Sequence, residues 1–435
     1  MKYYCIGIKG AGMSTLANIL HDLGNVVSGY DDSKGYKFTE EGLDKRGIKI
    51  FYDNEHEIDK DTIVTYSKAF KEEHIELKRV RELGLTVKEY KDVVGDITAQ
   101  FDTVGVSGTH GKTTTSLLIS NIINNTIGCS YFVGDGTAKA DPNDKLFVIE
   151  SDEYNKHFLA YHPTIAIITN IELEHVECYD GLEDIIKTFE TFANKSKIAV
   201  VCGDNENVRK INYQNKVIYY GFDEKNDVVA KNAVLTDKGS SFDVYMNNEL
   251  FGHFNIPLFG KHMVLNALSA IITCNEYGIS KDDMHKYIES FKGAHRRFKE
   301  TIIDDIVTID DYAHHPTEVK VTLEAARQKY PNKELVAILK PNTYTRTREL
   351  WPQFVEALKL ADKSYVTDIY CDREKAEDYP GITSDLIRDK LSNCERITDD
   401  MPELLLKHEN AVLCFMSCKD IYTLKNKYES LLKNK

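Results

Sequence analysis

The sequence predicts an α/β protein of three domains. At three places a short apolar strand signal runs into a polar or glycine-rich loop and then a helix signal, beginning near Tyr3, Phe101 and Ile306. Further short apolar runs alternate with helical stretches, a pattern typical of mainly parallel sheets. The 435 residues allow about three domains at roughly 150 residues each.

Composition restricts the class of partner. The formal net charge of −14 would repel phosphate backbones, and the basic residues form no stripe, so we expect no nucleic-acid partner. Apolar runs stay well short of the roughly 20 residues that span a bilayer, which predicts no membrane segment and a cytoplasmic protein. The nine cysteines are scattered, as is typical of reduced thiols.

The N-terminal segment is typical of a βαβ unit with a glycine-rich turn. Asp31 follows its second strand, where dinucleotide-binding folds place an acid that contacts the ribose. The Gly-x-Gly-x-x-Gly register from Gly10 ends on Thr15, which favours a nucleotide diphosphate over a nicotinamide. A glycine turn that only packs the helix against the strand also fits. The predicted elements are a strand at 3–8, a loop with Gly7, Gly10 and Gly12, a helix at 13–23 and a strand at 26–29.

Residues 104–114 carry the strongest signal, because an apolar strand runs into a glycine-rich loop, a lysine, hydroxyls and a helix. Gly108 and Gly111 allow backbone N–H groups to approach oxyanions. Lys112 can reach the terminal phosphates of a nucleotide, and Thr113 can bind Mg²⁺. The sequence therefore predicts ATP binding by a variant P-loop. A tight turn with a solvated lysine is the alternative.

Acidic residues directly follow the predicted strand 146–149, at a carboxyl end of the sheet where the phosphate loop also emerges. Mg²⁺ prefers oxygen ligands shared between protein, water and phosphate. We expect Glu153 to be a magnesium ligand, with Asp152 as the second choice. A solvated acidic strand end would also explain the run.

Histidines mark two further segments. His175 follows the next strand, 165–168, and can bind a second metal or contact an oxyanion, although a structural histidine also fits. His262 and Asn266 share one face of a predicted helix. The amide of Asn266 can both donate to and accept from an adenine edge, whereas a buried polar pair is the alternative.

The third unit places polar and aromatic groups after the strand 306–309. Asp311 can accept hydrogen bonds from a ribose, and Tyr312 and His315 can approach an acceptor substrate. Guanidinium groups pair bidentately with phosphate and carboxylate. Candidate anion clamps that could equally be surface salt-bridge partners are Arg296, Arg297 and Arg346.

Taken in order along the chain, these segments resemble the Mur ligases, and the likeness covers essentially the whole sequence. The matching segments are 7–14, Gly108-Thr-His-Gly-Lys-Thr113, Asp152-Glu153, Thr169-Asn-Ile with Glu174-His175, His262 with Asn266, Arg296-Arg-Phe298, Asp311-Tyr-Ala-His-His-Pro316 and Tyr344-Thr-Arg-Thr347.

The resemblance implies three domains and one reaction. A Rossmann-like domain at 1–98 would bind a UDP sugar, a central P-loop ATPase-like domain at 99–296 would bind ATP on a mainly parallel sheet, and a Rossmann-like domain at 297–435 would bind an amino acid. The implied reaction is ATP-dependent addition of L-alanine to the carboxylate of UDP-N-acetylmuramate through an acyl phosphate, in peptidoglycan precursor synthesis. The implied assembly is a monomer or homodimer.

The same resemblance assigns roles to residues. Those implied in catalysis are Lys112, Glu153, His175, His315 and Arg346. Those implied to hold ATP are Gly108, Thr109, Gly111, Lys112, Thr113, Thr114, Asn266, Arg297 and Asp311. Those implied to hold Mg²⁺ are Thr113, Glu153 and His175. Those implied to bind the sugar substrate or the acceptor are Gly10, Gly12, Asp31, His110 and Tyr312.

The third domain departs from the family where Asn342-Thr343 precedes Tyr344 and where Ser417-Cys-Lys-Asp420 follows a predicted strand. Both segments belong to the predicted amino-acid domain, so they bear on the identity of the incoming amine. Three alternatives stay open at this point. One is a murein-peptide ligase that joins a tripeptide to the same sugar, and another is a P-loop ATPase without ligation. The third is a non-catalytic UDP-sugar-binding protein, against which Lys112, Thr113 and Glu153 argue.

Overall fold

The computed structural model forms two compact units. The first unit comprises residues 1–231, 244–252 and 265–291, and the second comprises 232–243, 253–264 and 292–435. The candidate clamp Arg296 lies outside the described residues. The structure describes residues 1–37, 39–175, 177–294, 297–371, 374–418 and 420–434.

The first sheet is parallel throughout, with strand order β3-β2-β1-β4-β5. The predicted βαβ unit is present, and its helix begins two residues earlier than the periodicity indicates. The elements are β1 (Lys2–Ile6), α1 (Ala11–Asp22), β2 (Val26–Tyr30), α2 (Glu40–Lys45), β3 (Lys49–Phe51), β4 (Thr62–Tyr66), α3 (Ile75–Glu82), β5 (Thr86–Glu89) and α4 (Tyr90–Thr98).

The middle sheet has the strand order β15-β14-β13-β12-β11-β10-β6-β9-β7-β8. Strands are present at the four short apolar runs that predict them, 146–149, 165–168, 198–201 and 217–220, and directly before the phosphate loop. The elements are β6 (Asp102–Ser107), α5 (Lys112–Asn124), β7 (Ser130–Phe132), β8 (Ala138–Lys139), β9 (Leu146–Glu150), a 3₁₀ helix at Tyr154–Ala160, β10 (Ile165–Ile168), α6 (Leu182–Ala193), β11 (Ile198–Cys202), α7 (Glu206–Arg209), β12 (Lys216–Gly221), β13 (Val228–Thr236), β14 (Gly239–Met246), β15 (Glu249–Ile256), α8 (Lys261–Glu276) and α9 (Lys281–Glu289).

The register of three central strands brings the candidate site together. β6 lies between β9 and β10 and runs parallel to both, with Val106 opposite Glu150 and Ser107 opposite Ile168. The four residues of β10 are buried, and each of its three isoleucines contributes about 1.5 to 3 kcal/mol through burial. The three carboxyl ends therefore meet at one edge of the sheet, as the sequence predicts.

The third sheet has the order β16-β17-β21-β18-β19-β20 and is parallel except for β16, which pairs antiparallel with β17. The apolar run at 365–369 predicts a strand, whereas β19 begins two residues earlier and ends three residues earlier. The elements are β16 (Lys299–Ile303), β17 (Ile306–Asp311), α10 (Pro316–Lys329), β18 (Glu334–Leu339), α11 (Tyr344–Leu358), β19 (Lys363–Val366), a 3₁₀ helix at Ala376–Asp378, α12 (Asp385–Arg388), β20 (Cys394–Arg396), a 3₁₀ helix at Pro402–Lys407, β21 (Ala411–Met416) and α13 (Tyr422–Lys433).

Two sequence predictions concern the cysteines and the absence of a membrane segment. All nine cysteines are free thiols. Among the residues that the structure describes, no helix combines the length and the apolar composition needed to cross a membrane.

Helix α4 packs closely on the 3₁₀ helix at Tyr154–Ala160, and Gly95 is the residue that permits the approach. A Cβ atom at Gly95 would lie 2.4 Å from the backbone oxygen of Ala160. Backbone atoms on both sides leave little room for adjustment.

We predict that Gly95→Ala lowers the free energy of unfolding by about 1 to 3 kcal/mol, although alanine alone favours a helix by about 1 kcal/mol. Urea denaturation measures the change. Gly42→Ala in α2 is the matched control, because its Cβ would meet only the amide of Asn18, the end of a flexible side chain. Equal stability of the two variants would contradict the packing argument.

Candidate active site

The loop between β6 and α5 is shaped by two glycines with positive φ. Gly108 has a φ of 136°, and Gly111, which precedes the helix, has a φ of 84°. A Cβ atom at Gly108 would lie 2.0 Å from the hydroxyl oxygen of Thr169, and one at Gly111 would lie 3.1 Å from the amide oxygen of Asn266. Side chains are therefore excluded at both positions, which leaves the backbone N–H groups accessible to an anion.

Thr169 and Asn170, which follow β10, hold this loop in place. The amide of Asn170 accepts from the backbone N–H of His110 at 2.9 Å and donates to the backbone oxygen of the same residue at 3.1 Å. The Thr169 hydroxyl donates to that oxygen as well, at 2.5 Å. Thr109 donates through its N–H to the Asn170 carbonyl, and its hydroxyl accepts from the N–H of Glu172. The clamping role of Thr169 and Asn170 was missed at the sequence level.

The ammonium of Lys112 is buried against the carboxylate of Glu153. The distances from Nζ to the two carboxylate oxygens are 2.8 and 3.0 Å, and Nζ also donates to the backbone oxygen of Gly108 at 2.6 Å. Burial opposes the charged form of Lys112, but the charges of Glu153 and Asp152 outweigh it and raise the lysine pKa. Burial also opposes ionisation of Glu153, yet the charge of Lys112 and contacts with His175 lower the pKa of Glu153. Both groups are therefore charged at neutral pH.

His175 completes a cluster with Asp152 and Glu153. One ligand atom from each of these three residues lies within 4.8 Å of the other two. The imidazole Nε2 is 3.7 Å from Glu153, and the ring lies edge-on to Tyr154. Burial lowers the pKa of His175, but the hydrogen bond and charge of Glu153 prevail and raise it. The structure thus brings Asp152, Glu153 and His175 together, whereas Thr113, which the sequence also predicts to bind the metal, contacts Glu150.

Glu150 is a further carboxylate of this site, and the sequence interpretation assigned it no role. It accepts a hydrogen bond from the hydroxyl of Thr113 at 3.1 Å and from the N–H of Gly134 at 2.7 Å. Burial raises the pKa of Glu150, against the opposing charge of Lys112 and these two hydrogen bonds. Its position as the last residue of β9 is the signal that could have identified it.

A cavity of about 370 Å³ lies between the first glycine loop and the edge of the middle sheet. Gly12 lines it, and a Cβ there would lie 3.3 Å from the Tyr90 hydroxyl. Glu150 and Asp152 line the opposite side. The cavity therefore connects the predicted sugar-binding loop with the predicted phosphate site.

Asp31 is buried beside the first glycine loop. Its carboxylate accepts from the backbone N–H groups of Lys9 and Ser33, each at 3.0 Å. Gly10 precedes α1 and donates its N–H to the carbonyl of Gly7. Asp31 thus orders the turn that follows β2.

In the second unit, Asp311 is buried at the end of β17. Its carboxylate accepts from the N–H groups of Phe298 and Ala313, each at 2.8 Å. Burial raises the pKa of Asp311, although the charge of Arg297 opposes that rise. The guanidinium of Arg297 lies 5.0 Å from the ring centroid of Tyr312. Three residues that the sequence predicts to bind nucleotide or substrate are therefore neighbours: Asp311, Tyr312 and Arg297.

His315 and Arg346 stand at the beginnings of two helices in the same unit. His315 is the buried N-cap of α10, and its side chain accepts from the N–H of Thr317 at 3.3 Å. Arg346 lies in the first turn of α11 and donates to the carbonyl of Asn342 at 3.0 Å. Thr343 caps α11 by accepting from the N–H of Arg346. One of the predicted departures, Asn342-Thr343, thus shapes the start of this helix.

The remaining predicted residues lie on helices. Thr114 is buried in the first turn of α5. Asn266 is buried in α8, near Gly111 of the phosphate loop. For His262, burial and the charge of Arg297 lower the pKa to about 4, so the imidazole is neutral at neutral pH.

Three family models match successive parts of the chain. The Mur ligase family, catalytic domain, matches residues 2–102, the Mur ligase middle domain matches 106–274, and the Mur ligase, glutamate ligase domain, matches 296–414. The chain belongs to the Mur ligase family.

Individual relatives agree with that assignment. UDP-N-acetylmuramate--L-alanine ligases from Ligilactobacillus salivarius and Lactiplantibacillus plantarum are 43% and 42% identical to this chain, with 99% of it covered and 97% and 99% of the respective relatives. The structure of UDP-N-acetylmuramate-alanine ligase from Thermotoga maritima has a TM-score of 0.80 at 25% identity, with both chains covered in full. A murein peptide ligase from Psychrobacter arcticus has a TM-score of 0.67 at 21% identity, covering 100% of this chain and 99% of that one. The predicted three-domain α/β fold is confirmed.

We predict that Asn170→Ala weakens MgATP binding about tenfold, because two hydrogen bonds that fix the loop backbone at His110 are lost. Isothermal titration calorimetry measures the affinity. Asn194→Ala is the control. Asn194 lies at the end of α6, outside the loop, and its amide donates to the carbonyl of Asn212. Unchanged MgATP affinity in Asn170→Ala would show that the clamp does not order the phosphate loop.

Proposed function

We propose that this Mur ligase joins L-alanine to the carboxylate of UDP-N-acetylmuramate at the expense of ATP, in the synthesis of peptidoglycan precursors. The observation that carries the proposal is the phosphate loop with Lys112 buried on Glu153, next to a cavity that leads to the first glycine loop. Relatives named UDP-N-acetylmuramate--L-alanine ligase are 40–43% identical to the chain over nearly its full length.

In the proposed reaction, a carboxylate oxygen of the sugar acid attacks the γ-phosphorus of ATP, and ADP leaves. The resulting acyl phosphate has a good leaving group, which a free carboxylate lacks. The amine of alanine then attacks the acyl carbon, loses a proton, and expels phosphate through a tetrahedral intermediate. Lys112 would stabilise the charge that develops on the transferring phosphoryl group.

Residues 1–98, 99–296 and 297–435 are the proposed domains for the UDP sugar, ATP and the amino acid. Within the first two, Gly10, Gly12 and Asp31 would face the UDP group and His110 the muramoyl end. The backbone of Gly108, Thr109 and Gly111, together with Thr113 and Thr114, would hold phosphate. In support, the positive φ angles of Gly108 and Gly111 disfavour a side chain at these two positions of the loop.

For the nucleoside and the acceptor, we propose roles for six more residues. Asn266 and Asp311 would contact the nucleoside of ATP, and Arg297 would approach its phosphates. Tyr312, His315 and Arg346 would act on the acceptor side. The cation–π contact between Arg297 and Tyr312 supports a common task for these two residues.

The donor set at the middle sheet fits Mg²⁺. Carboxylate oxygens are the ligands that Mg²⁺ prefers, and Asp152, Glu153 and His175 bring their ligand atoms within 4.8 Å of one another. Glu153, His175 and the hydroxyl of Thr113 would hold the ion. When bound, Mg²⁺ would neutralise charge on the ATP phosphates.

The amine is tested by measuring phosphate release and product mass with MgATP, UDP-N-acetylmuramate and a panel of amino acids and short peptides. We expect L-alanine to give the highest kcat/KM. A tripeptide that outcompetes alanine would instead identify a murein-peptide ligase. ATP hydrolysis at full rate without sugar or amine would identify an ATPase without ligation.

We predict that Lys112→Met and Glu153→Gln each lower kcat about 100-fold or more, because each removes one half of the buried pair at the phosphate loop. Steady-state phosphate release measures the loss. Lys139→Met is a matched control, because Lys139 pairs with Asp144 in the same domain away from the loop. Undiminished turnover in Lys112→Met would refute the phosphate-loop assignment.

A further inference from the structure

The first glycine loop contains a lysine, Lys9, whose side chain is completely buried. A lysine in a glycine-rich nucleotide loop ordinarily suggests a direct phosphate contact. The surroundings of Lys9 are instead formed by the segment that follows β2. That segment, residues 33–40 with Phe38 outside the described residues, is named the strap below.

The ammonium of Lys9 donates all its hydrogen bonds to the strap. Nζ lies 2.6 Å from the carbonyl of Ser33, 2.7 Å from that of Gly35 and 2.8 Å from the carboxylate of Glu40. A lysine ammonium carries three N–H donors, so these three partners use its full capacity. The ammonium is therefore fully hydrogen-bonded within the protein, and a phosphate could bind to it only by displacing one of these three partners.

The backbone of Lys9 is tied to the same segment. Its N–H donates to Asp31 at 3.0 Å, and its carbonyl accepts from the Thr39 hydroxyl at 2.7 Å. Every polar group of Lys9 thus contacts the strap or Asp31, which lies two residues before the strap.

The partner of this ammonium is itself held within the strap. The carboxylate of Glu40, which is also buried, accepts from the backbone N–H of Lys37 at 2.6 Å and from Tyr52 at 3.5 Å. Removing one member of such a pair leaves the other charge buried and unbalanced, which is costly. The strap therefore depends on Lys9 more than an exposed turn would.

The glycine loop, in contrast, has its own support. Gly7 and Ile8 donate to the carbonyl of Tyr30, and Gly10 donates to that of Gly7. These bonds do not involve the Lys9 side chain. Loss of Lys9 would consequently release the strap while leaving the loop backbone in place.

The strap begins two residues after Asp31, which follows β2 at the position where this kind of fold contacts a ribose. We infer that Lys9 is a positioning residue that fixes the strap for the nucleoside end of the UDP sugar, without contacting its phosphates. The inference rests on the proposed UDP-sugar substrate. It adds a residue that acts through Asp31 and the strap on nucleoside affinity.

The test compares Lys9→Met with wild type in the full chain. Titration calorimetry, or competition where affinity is weak, gives the Kd for UDP and for uridine. We expect both Kd values to rise by the same factor, about tenfold. We also expect KM for UDP-N-acetylmuramate to rise while kcat at saturation changes less than about twofold.

Two outcomes would overturn the inference. A loss confined to UDP, with uridine unaffected, would mean that Lys9 contacts a phosphate. Unchanged affinity for both ligands would mean that Lys9 only fills space. Wild-type protein that forms no amide from UDP-N-acetylmuramate would instead refute the proposed function. Amide formation is measured separately from the Kd values, so the two failures can be distinguished.

A second variant avoids the risk that Lys9→Met misfolds. Thr39→Val keeps the shape of the side chain but removes its hydrogen bond to the Lys9 carbonyl. We expect the same equal rise for UDP and uridine, at about threefold. Lys2→Met is the matched control, because Lys2 pairs with Asp59 and Asp61 at the surface of the same domain. It should leave both Kd values unchanged.

Discussion

The buried ammonium of Lys112 is the constraint on which the candidate site depends. A cation in this position requires a counter-charge and carbonyl oxygens, which Glu153 and the backbone of Gly108 supply. Those partners come from two adjacent strands, so the parallel register of β6 and β9 has to be maintained. The same arrangement leaves the ammonium beside the loop where phosphate charge would develop, ready to change partner when a nucleotide binds.

A common principle links the two glycine-rich loops of the first unit. In each loop, side chains from neighbouring segments hydrogen-bond to the loop backbone and fix its conformation. Asn170 and Thr169 do so for the phosphate loop at His110, and Asp31 does so for the first loop at the N–H of Lys9. Backbone groups fixed in advance bind an anion without paying the cost of ordering the loop at that moment.

Local patterns predicted the strands, the phosphate loop and the cluster of Glu153 and His175, because strand ends, glycines and a lysine are visible in the sequence itself. The partners of these groups were less accessible. Glu150 ends β9 and Glu153 follows it, and only the register shows which one contacts Thr113 and which one contacts Lys112. The clamp of Asn170 joins residues 60 positions apart. Such contacts depend on tertiary geometry, which hydrophobic periodicity does not encode.

The N-cap at His315 has a consequence for acid–base chemistry. Because its Nδ1 accepts from the N–H of Thr317, a neutral ring carries its proton on Nε2. Protonating Nδ1 would break the cap at the start of α10. In the capped state the neutral imidazole is therefore restricted to one tautomer, in which Nε2 carries the hydrogen and cannot accept a proton.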